Sequence, residues 1–192
     1  MKNKLITIIK SSAVTTTYAT SKNIIITLTD KQGNILAGKK VTVVLNGVSK
    51  TLTTNNKGQS ILATGTTLTP KTYKVSFKFT GDNNYMASSG IVNLVVKKST
   101  PKITAKNKKY KAKTKNKKYT ITLKNDKKQA IKNTKLTLKV NGKTYTAKTN
   151  NKGQAIFEIK KLTKKGKYKT TITFQTNQYY NKITTKTTIT IK

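Results

Sequence analysis

Side chains that could act as nucleophiles, general bases or metal ligands are scarce in this sequence. It contains no histidine and no cysteine, and among 192 residues the only side-chain carboxylates are those of Asp30, Asp82, Asp126 and Glu158. A serine–histidine pair, a thiol nucleophile and an ordinary transition-metal site all need residues that are missing here. A calcium loop needs closely spaced acids, which are also missing. We therefore predict that the protein is not an enzyme and uses no cofactor or metal.

Lysine is the one chemically active residue type that is abundant. All 41 basic residues are lysines, and the formal net charge is +37. Only 12 of these lysines lie in residues 1–96, whereas 29 lie in residues 97–192. Such a surface attracts polyanions, including cell-wall polymers, acidic glycans, anionic lipids and nucleic acids. We predict that polyanions contact a dense cluster at the start of the second half, made of Lys108, Lys109, Lys111, Lys113, Lys115, Lys117 and Lys118.

Two other interpretations of this charge remain open. Lysines at outward strand positions can simply form a solvated surface that deters edge-to-edge aggregation. Alternatively, the chain is a nonspecific nucleic-acid-binding protein in which Tyr110, Tyr119 and Tyr145 stack against bases. Specific nucleic-acid recognition is disfavoured, because the sequence has no arginine, no basic helix and no RNA-binding aromatic motif. The three tyrosines also occupy alternating positions, where packing within strands explains them.

An internal repeat gives the domain organisation. The string TNNKGQ occurs at residues 54–59 and again, 95 residues later, at 149–154. The same offset relates Asn46-Gly47 to Asn141-Gly142, Tyr73 to Tyr168, Phe79 to Phe174, Tyr85 to Tyr180, and Ile8 to Ile103. A duplicated domain accounts for this agreement. The polar stretch around Pro101 places the boundary near Lys98, so the predicted domains are residues 1–98 and the lysine-rich residues 99–192.

The apolar residues recur with a period of two, which is typical of strands. In the first repeat Ile24, Ile26 and Leu28 alternate with other residues, and in the second Tyr119, Ile121 and Leu123 occupy the matching positions. The Asn-Gly pairs are signals for tight hairpins. About seven short strands per repeat, separated by turns, are typical of a sandwich. We predict an all-β fold of two tandem immunoglobulin-like antiparallel β-sandwich domains, without helices.

Three segments resemble bacterial and archaeal Ig-like domains of the invasin/intimin type. One is the TNNKGQ turn followed by an apolar strand. Another is residues 79–89, which read FTGDNNYMASS and match the F-x-G-D-x-x-Y-x-x-S stretch of such repeats. The Lys/Thr-rich run 143–148 is similar to repeats in adhesin-like surface proteins of methanogenic archaea. In the second repeat the tyrosine of this stretch is kept and the acid is not, which indicates that Tyr85 and Tyr180 are packing residues.

The resemblance implies a secreted, extracellular cell-surface protein whose domains are monomeric beads in a longer repeat array. Its role would be that of a stalk or spacer, or that of an adhesive module whose second domain binds anionic envelope or host polymers. No run approaches the ~20 apolar residues of a membrane span. The apolar run 5–9 is too short for a signal peptide, so we expect a strand there. The sequence would then be a fragment or a truncated reading frame, or the protein would be exported by another route.

Some adhesin Ig-like domains contain an internal Lys–Asn isopeptide bond promoted by a buried acid. The alternation within the strand around Phe157 places Ile156 and Glu158 on the same face. If that face is buried, Glu158 would be the required acid. If it is not, Glu158 is a solvated residue at a strand end.

Overall fold

The structure of the protein is a computed structural model that describes residues 3–192. These residues form no helix and sixteen strands, in two compact units that divide between Lys97 and Lys98. The strands of the first unit are β1 (Thr7–Ser11), β2 (Val14–Thr17), β3 (Asn23–Asp30), β4 (Lys40–Leu45), β5 (Val48–Thr53), β6 (Gln59–Ala63), β7 (Lys71–Phe79) and β8 (Ser88–Lys97). Those of the second are β9 (Lys102–Thr104), β10 (Lys108–Tyr110), β11 (Lys117–Lys124), β12 (Lys135–Val140), β13 (Lys143–Lys148), β14 (Gln154–Ile159), β15 (Gly166–Phe174) and β16 (Ile183–Ile191).

Each unit is a sandwich of one three-stranded and one five-stranded sheet. The strand orders in the first unit are β1-β3-β6 and β2-β8-β7-β4-β5, and in the second they are β14-β11-β9 and β10-β16-β15-β12-β13. All neighbouring strands in these sheets are antiparallel except β2 with β8 and β10 with β16, which are parallel. The predicted fold of two tandem immunoglobulin-like β-sandwiches is confirmed.

Each unit has eight strands rather than about seven, because its first segment passes from one sheet to the other. In the first unit β1 pairs with β3 in the three-stranded sheet, and β2 then pairs with β8 in the five-stranded sheet. In the second unit β9 pairs with β11, and β10 pairs with β16. A single extended segment therefore contributes an edge strand to both sheets of its unit.

The predicted alternation agrees with the observed burial. Ile24, Ile26 and Leu28 of β3 have no exposed surface, and their counterparts in β11 are at most 2% exposed. Further buried pairs of matching positions are Val41 and Leu136, Val43 and Leu138, Phe77 and Ile172, and Phe79 and Phe174. Burying one such side chain contributes about 1.5–3 kcal/mol before the entropy of ordering it is subtracted. Each unit therefore has its own core, built from the inward residues of both its sheets.

The strand expected near the N-terminus is present, but its alignment with the second repeat differs by one residue. Ile9 pairs with Leu28, and Ile103 pairs with Leu123. Because Leu28 and Leu123 are equivalent, the counterpart of Ile103 is Ile9, and the predicted match with Ile8 is wrong. Ile8 is 44% exposed and points away from the core. The offset is therefore 94 residues in the first segment and 95 from β3 onward.

The repeated string TNNKGQ forms a turn held by its own side chains. Asn55 Oδ1 accepts hydrogen bonds from the backbone N–H groups of Lys57 and Gln59, at 2.9 and 3.1 Å. Asn150 Oδ1 makes the two equivalent bonds in the second unit, at 2.9 and 3.0 Å. An asparagine side chain that bonds the backbone two residues later stabilises a turn locally. The recurrence of this string therefore has a structural cause.

Glycine ends this turn because the backbone leaves no room for a side chain. Gly153 has a φ of +73°, and a Cβ placed on it would lie 2.6 Å from the carbonyl oxygen of Leu123. Gly142, in the predicted Asn-Gly hairpin, has a similar φ of +70°, but a Cβ there would meet nothing within 4 Å. The two glycines thus share the same backbone conformation and differ in the space around them.

Replacing Gly153 by alanine should destabilise the second unit more than replacing Gly142 by alanine. Both substitutions place a Cβ on a left-handed residue, at a cost of about 1–2 kcal/mol. Only Gly153→Ala adds a clash with the backbone of β11, which costs about 1–3 kcal/mol more. Urea unfolding followed by circular dichroism measures the difference, and equal midpoints for the two variants would contradict the packing described for this turn.

Candidate polyanion-binding surface

The structure separates the seven lysines that the sequence groups together. Lys108 and Lys109 lie on β10, and Lys118 lies on β11, in the other sheet of the unit. Lys111, Lys113 and Lys115 lie between the two strands, where all three are exposed. All six are exposed, but the two strands and the loop do not place them on one surface.

Lys117 must be removed from the predicted contacts because its side chain is buried. Only 1% of its surface is exposed, since it occupies an inward position of β11 in the same alternation as Tyr119. Its ammonium group donates hydrogen bonds to the carbonyl oxygens of Ala112 and Thr114. A buried charge needs such partners. Lys117 therefore anchors the 111–116 loop and does not face solvent.

Lys118 lies on the outer face of the three-stranded sheet, beside an acid. Its cross-strand partner is Glu158, and both side chains are exposed. Ile156, two residues away on the same face, is 48% exposed. The idea that Glu158 is a buried acid able to promote an isopeptide bond is therefore wrong, because this face of β14 points to solvent. The outer face of this sheet carries three lysines and one glutamate, the lysines being Lys102, Lys118 and Lys124.

The outer face of the five-stranded sheet in the second unit concentrates lysine without any acid. None of its five strands contains an aspartate or glutamate. Most of the other outward positions are threonines. We call this surface the lysine–threonine face; its outward lysines are Lys109, Lys135, Lys139, Lys148, Lys167, Lys169 and Lys186.

Strand pairing arranges this face in rows that cross the sheet. In one row Lys139 of β12 and Lys186 of β16 are both cross-strand partners of Thr171 on β15. In a second row Lys109 of β10 and Lys167 of β15 are both partners of Thr190 on β16. Strands lie about 4.8 Å apart, so the Cα atoms of the two lysines in a row are about 10 Å apart. Each row thus reads Lys-Thr-Lys.

The end of the face where β10 begins is fixed by an asparagine. Asn107 Oδ1 accepts hydrogen bonds from the backbone N–H of Thr188 at 3.0 Å and from Thr187 Oγ1 at 3.1 Å. A shallow groove runs along this part of the face, lined by Asn107, Lys108, Lys109, Lys167, Thr188, Thr190 and Lys192. These two bonds to Asn107 add to the backbone pairing that holds Lys109 in register with Thr190.

The same rows in the first unit have a different chemistry. The row equivalent to Lys139-Thr171-Lys186 is Val44-Ser76-Ile91. The row equivalent to Lys109-Thr190-Lys167 is Thr15-Val95-Thr72. Ile91 is 67% exposed, so the outer face of the first unit presents apolar surface where the second presents charge. The two units share a fold and differ on this face.

Sequence reasoning missed most of the face because its lysines are spread over about 80 residues. Two local signals were present. Lys167 and Lys169 are two residues apart, and Lys135 and Lys139 are four apart, which places each pair on one side of a strand. Which strands lie side by side depends on long-range pairing, and only the register brings Lys139 and Lys186 into one row.

The three tyrosines proposed to stack against bases are instead part of the fold. The hydroxyl groups of Tyr110, Tyr119 and Tyr145 donate to backbone carbonyl oxygens of Lys118, Lys106 and Lys160, at 2.7, 2.7 and 2.6 Å. Burial raises the pKa of Tyr110 to about 12, and burial also raises the pKa of Tyr119 and of Tyr145. The interpretation of these tyrosines as packing residues is confirmed.

The stretch that resembles F-x-G-D-x-x-Y-x-x-S forms a turn. Asp82 Oδ1 accepts a hydrogen bond from the N–H of Tyr85 at 3.0 Å, and Asn177 Oδ1 accepts the equivalent bond from Tyr180 at 2.8 Å. Lys39 Nζ lies 2.6 Å from Asp82 Oδ2, which lowers the pKa of that carboxyl group. Because Asn177 makes the same bond as Asp82, the turn does not need an acid. Both tyrosines pack against the core of their unit.

Chemical modification distinguishes Lys117 from its neighbours. When the folded protein is treated with an amine-acylating reagent, we expect Lys113, Lys115 and Lys118 to react fully and Lys117 to stay unmodified. In urea Lys117 should react like the others. Peptide mass spectrometry gives the occupancy of each site, and rapid labelling of Lys117 in the folded protein would show that its side chain is not buried.

Tyrosine ionisation tests the packing of Tyr110. Because burial disfavours the phenolate, part of the tyrosine absorbance change should appear only near pH 12 in the folded protein, and Tyr110→Phe should remove that part. The folded-state pKa is raised, so its contribution to stability is present below the ordinary value of about 10 and is lost as the pH rises toward 12. An ultraviolet titration measures this, with the urea-unfolded protein as the control.

No helix within residues 3–192 is long and apolar enough to cross a membrane. Nor do these residues bring together three or more histidine, cysteine, aspartate or glutamate side chains in a way that could hold a metal ion.

Comparison with known proteins shows a fold and no closer relationship. No family model matches the chain, and no curated protein is similar to it in sequence. Among solved structures it resembles invasin, described as a bacterial integrin-binding protein, with a TM-score of 0.56 and 16% identity over 97% of this chain and 39% of invasin. It also resembles titin domains A168–A170, with a TM-score of 0.56 and 10% identity over 96% of this chain and 65% of the other. Titin domains Z1Z2, solved with telethonin, give a TM-score of 0.50 and 10% identity over 100% and 98% of the two chains. The chain thus spans well under half the length of the invasin structure, and what these likenesses share with it is the tandem immunoglobulin-like fold.

Proposed function

We propose that this chain is a non-catalytic, adhesin-like part of a cell-surface protein, and that its second unit contacts anionic polymers of the envelope or of a host. The observation that carries the proposal is the lysine–threonine face, with seven outward lysines and no acid on its five strands. The resemblance of residues 79–89 and of the TNNKGQ turn to repeats of surface proteins supports an extracellular location. Invasin, which has the same fold, is a bacterial integrin-binding protein.

The electrostatics of this face favour a polymer over a small ligand. Rows place lysines about 10 Å apart, and along β15 Lys167 and Lys169 are separated by about 7 Å. These distances are comparable with the Debye length of about 8 Å at physiological ionic strength, so the fields of neighbouring ammonium groups overlap. A partner with many charges interacts with several of them at once. A single anion gains only the small energy of one exposed ion pair.

The first unit is better suited to a spacer role. Its equivalent face has four outward lysines, namely Lys40, Lys74, Lys78 and Lys97. It also carries the exposed Ile91 and the partly exposed Val44 and Val95. Its core and turns repeat those of the second unit. We therefore propose that the first unit extends the chain and that the second unit adheres.

A nonspecific nucleic-acid-binding function remains the alternative, and the tyrosines argue against it. Binding of single strands relies on aromatic side chains that are free to stack. Tyr110, Tyr119 and Tyr145 instead have their hydroxyl groups bonded to backbone carbonyls within the second unit. What is left for a nucleic acid is charge alone, which would give salt-sensitive binding without sequence preference.

Dextran sulfate and dextran form a matched pair of ligands for this proposal, because they share a backbone and differ in charge. The full chain should bind dextran sulfate at an ionic strength of about 0.15 M, should bind more weakly as salt is added, and should not bind dextran. Cosedimentation or biolayer interferometry across a salt series measures this. Binding confined to very low salt would leave both units as spacers, and equal binding of dextran would rule out an electrostatic contact.

A further inference from the structure

We propose that the lysine–threonine face recognises a linear polysaccharide that carries carboxylates, and that it uses the threonine hydroxyls as well as the ammonium groups. This inference rests on the proposed function, since it names the ligand class and the surface for the same adhesive contact. It assigns binding to the two Lys-Thr-Lys rows, and it excludes both the 111–116 loop and the first unit from the specific contact.

The alternation of donor types within the rows argues for a sugar polymer. In each row a threonine lies between two lysines, Thr171 in one and Thr190 in the other. A threonine hydroxyl can both donate and accept a hydrogen bond, whereas an ammonium group only donates. A uronic acid residue presents one carboxylate together with neutral hydroxyls, so a chain of such residues offers acceptors for the lysines and mixed partners for the threonines.

The composition of the face argues against nucleic acid as its ligand. The outward positions of the two rows hold only lysine and threonine, and no aromatic side chain lies among them. Bases would therefore find no platform for stacking. Lysine also binds an anion as a point charge, without the bidentate geometry with which arginine reads phosphates and guanines.

The first unit provides an internal comparison for this surface. It replaces one row with Val44-Ser76-Ile91 and the other with Thr15-Val95-Thr72, while the backbone pairing is the same. If adhesion needed only a folded immunoglobulin-like unit, either unit would serve. The proposal instead predicts that the two outer faces differ in binding, and that exchanging row residues moves the binding with them.

The test uses the full chain with polygalacturonate as the carboxylated ligand and polyphosphate as a polyanion without sugar hydroxyls. Lys139→Val with Lys186→Ile gives one row of the second unit the two flanking residues of the matching row in the first, Val44 and Ile91. We expect about tenfold weaker binding of polygalacturonate, from the loss of two ion pairs that act together with their neighbours. The matched control, Lys113→Thr with Lys115→Thr, removes two exposed charges from the loop and should weaken binding less than twofold.

A second pair of substitutions tests the hydroxyls. Thr171→Val with Thr190→Val keeps the shape and charge of both rows, and the first unit already has valine at the position of Thr190. We expect binding of polygalacturonate to weaken about threefold and binding of polyphosphate to stay unchanged. A gain-of-function variant, Val44→Lys with Ile91→Lys, should strengthen polygalacturonate binding by adding a charged row to the first unit. Circular dichroism and unchanged thermal midpoints confirm that each variant is folded.

The outcomes separate this inference from the proposed function. If row and loop variants weaken binding equally, the contact is diffuse and the assigned face is wrong, although adhesion to polyanions stands. If the threonine variant affects both ligands equally or neither, the ligand is any polyanion and the assignment to a carboxylated polysaccharide is wrong. If the unaltered chain binds neither dextran sulfate nor polygalacturonate at about 0.15 M salt, the proposed function fails as well.

Discussion

The pairing of β15 with β16 fixes the register of two inner strands of the lysine–threonine face. Nine residues of each strand are paired, from Gly166 with Ile191 to Phe174 with Ile183. Because side chains alternate between the two faces of a sheet, a slip by one residue would turn Lys186 into the core and Ile189 into solvent. The apolar inner positions, fully buried at Ile172 and Ile189, are what prevent that slip. The charged surface is thus fixed by the hydrophobic core behind it.

The duplication shows which positions are constrained by the fold and which are free. Inward residues such as Leu28 and Leu123 keep their character in both units, and the TNNKGQ turn keeps its asparagine bonds. Outward residues differ, since Val44 and Ile91 in the first unit correspond to Lys139 and Lys186 in the second. Outward substitutions usually alter stability by little, so this outer face can be charged or apolar without loss of the core.

Sequence reasoning recovered the fold because its two signals, period-two alternation and turn residues, act locally. It placed Ile24, Ile26 and Leu28 in the core and located the Asn-Gly hairpins. It failed where long-range pairing decides the outcome. The match of Ile8 with Ile103 was wrong because the second unit has one more residue than the first between its first strand and β11. The one-residue shift between the two first segments becomes visible only from the strand pairing, in which Ile9 pairs with Leu28 and Ile103 pairs with Leu123.

The candidate surface was harder to predict for the same reason. A run of lysines in sequence looks like a patch, but β10, the loop and β11 distribute it over two sheets and bury Lys117. Lysines that are far apart in sequence can lie in one row of the sheet. Lys109 and Lys167, for example, flank their shared cross-strand partner Thr190. Residues that are close in the chain are therefore not always close on a sheet. In an all-β protein, strand order and register decide which residues are neighbours on a sheet.

The absence of carboxylates on the five strands of the lysine–threonine face has a thermodynamic consequence. Ammonium groups without paired acids keep mobile anions from the solvent close to the surface. A polyanion also holds cations close along its chain. When the ammonium groups replace those cations, their release increases the entropy and favours binding. A contact of this kind is loose and quickly reversed for one domain, and it becomes firm when many domains engage one polymer. Lysine-rich domains of this kind would therefore bind a surface through many weak contacts, and they would dissociate when the salt concentration rises.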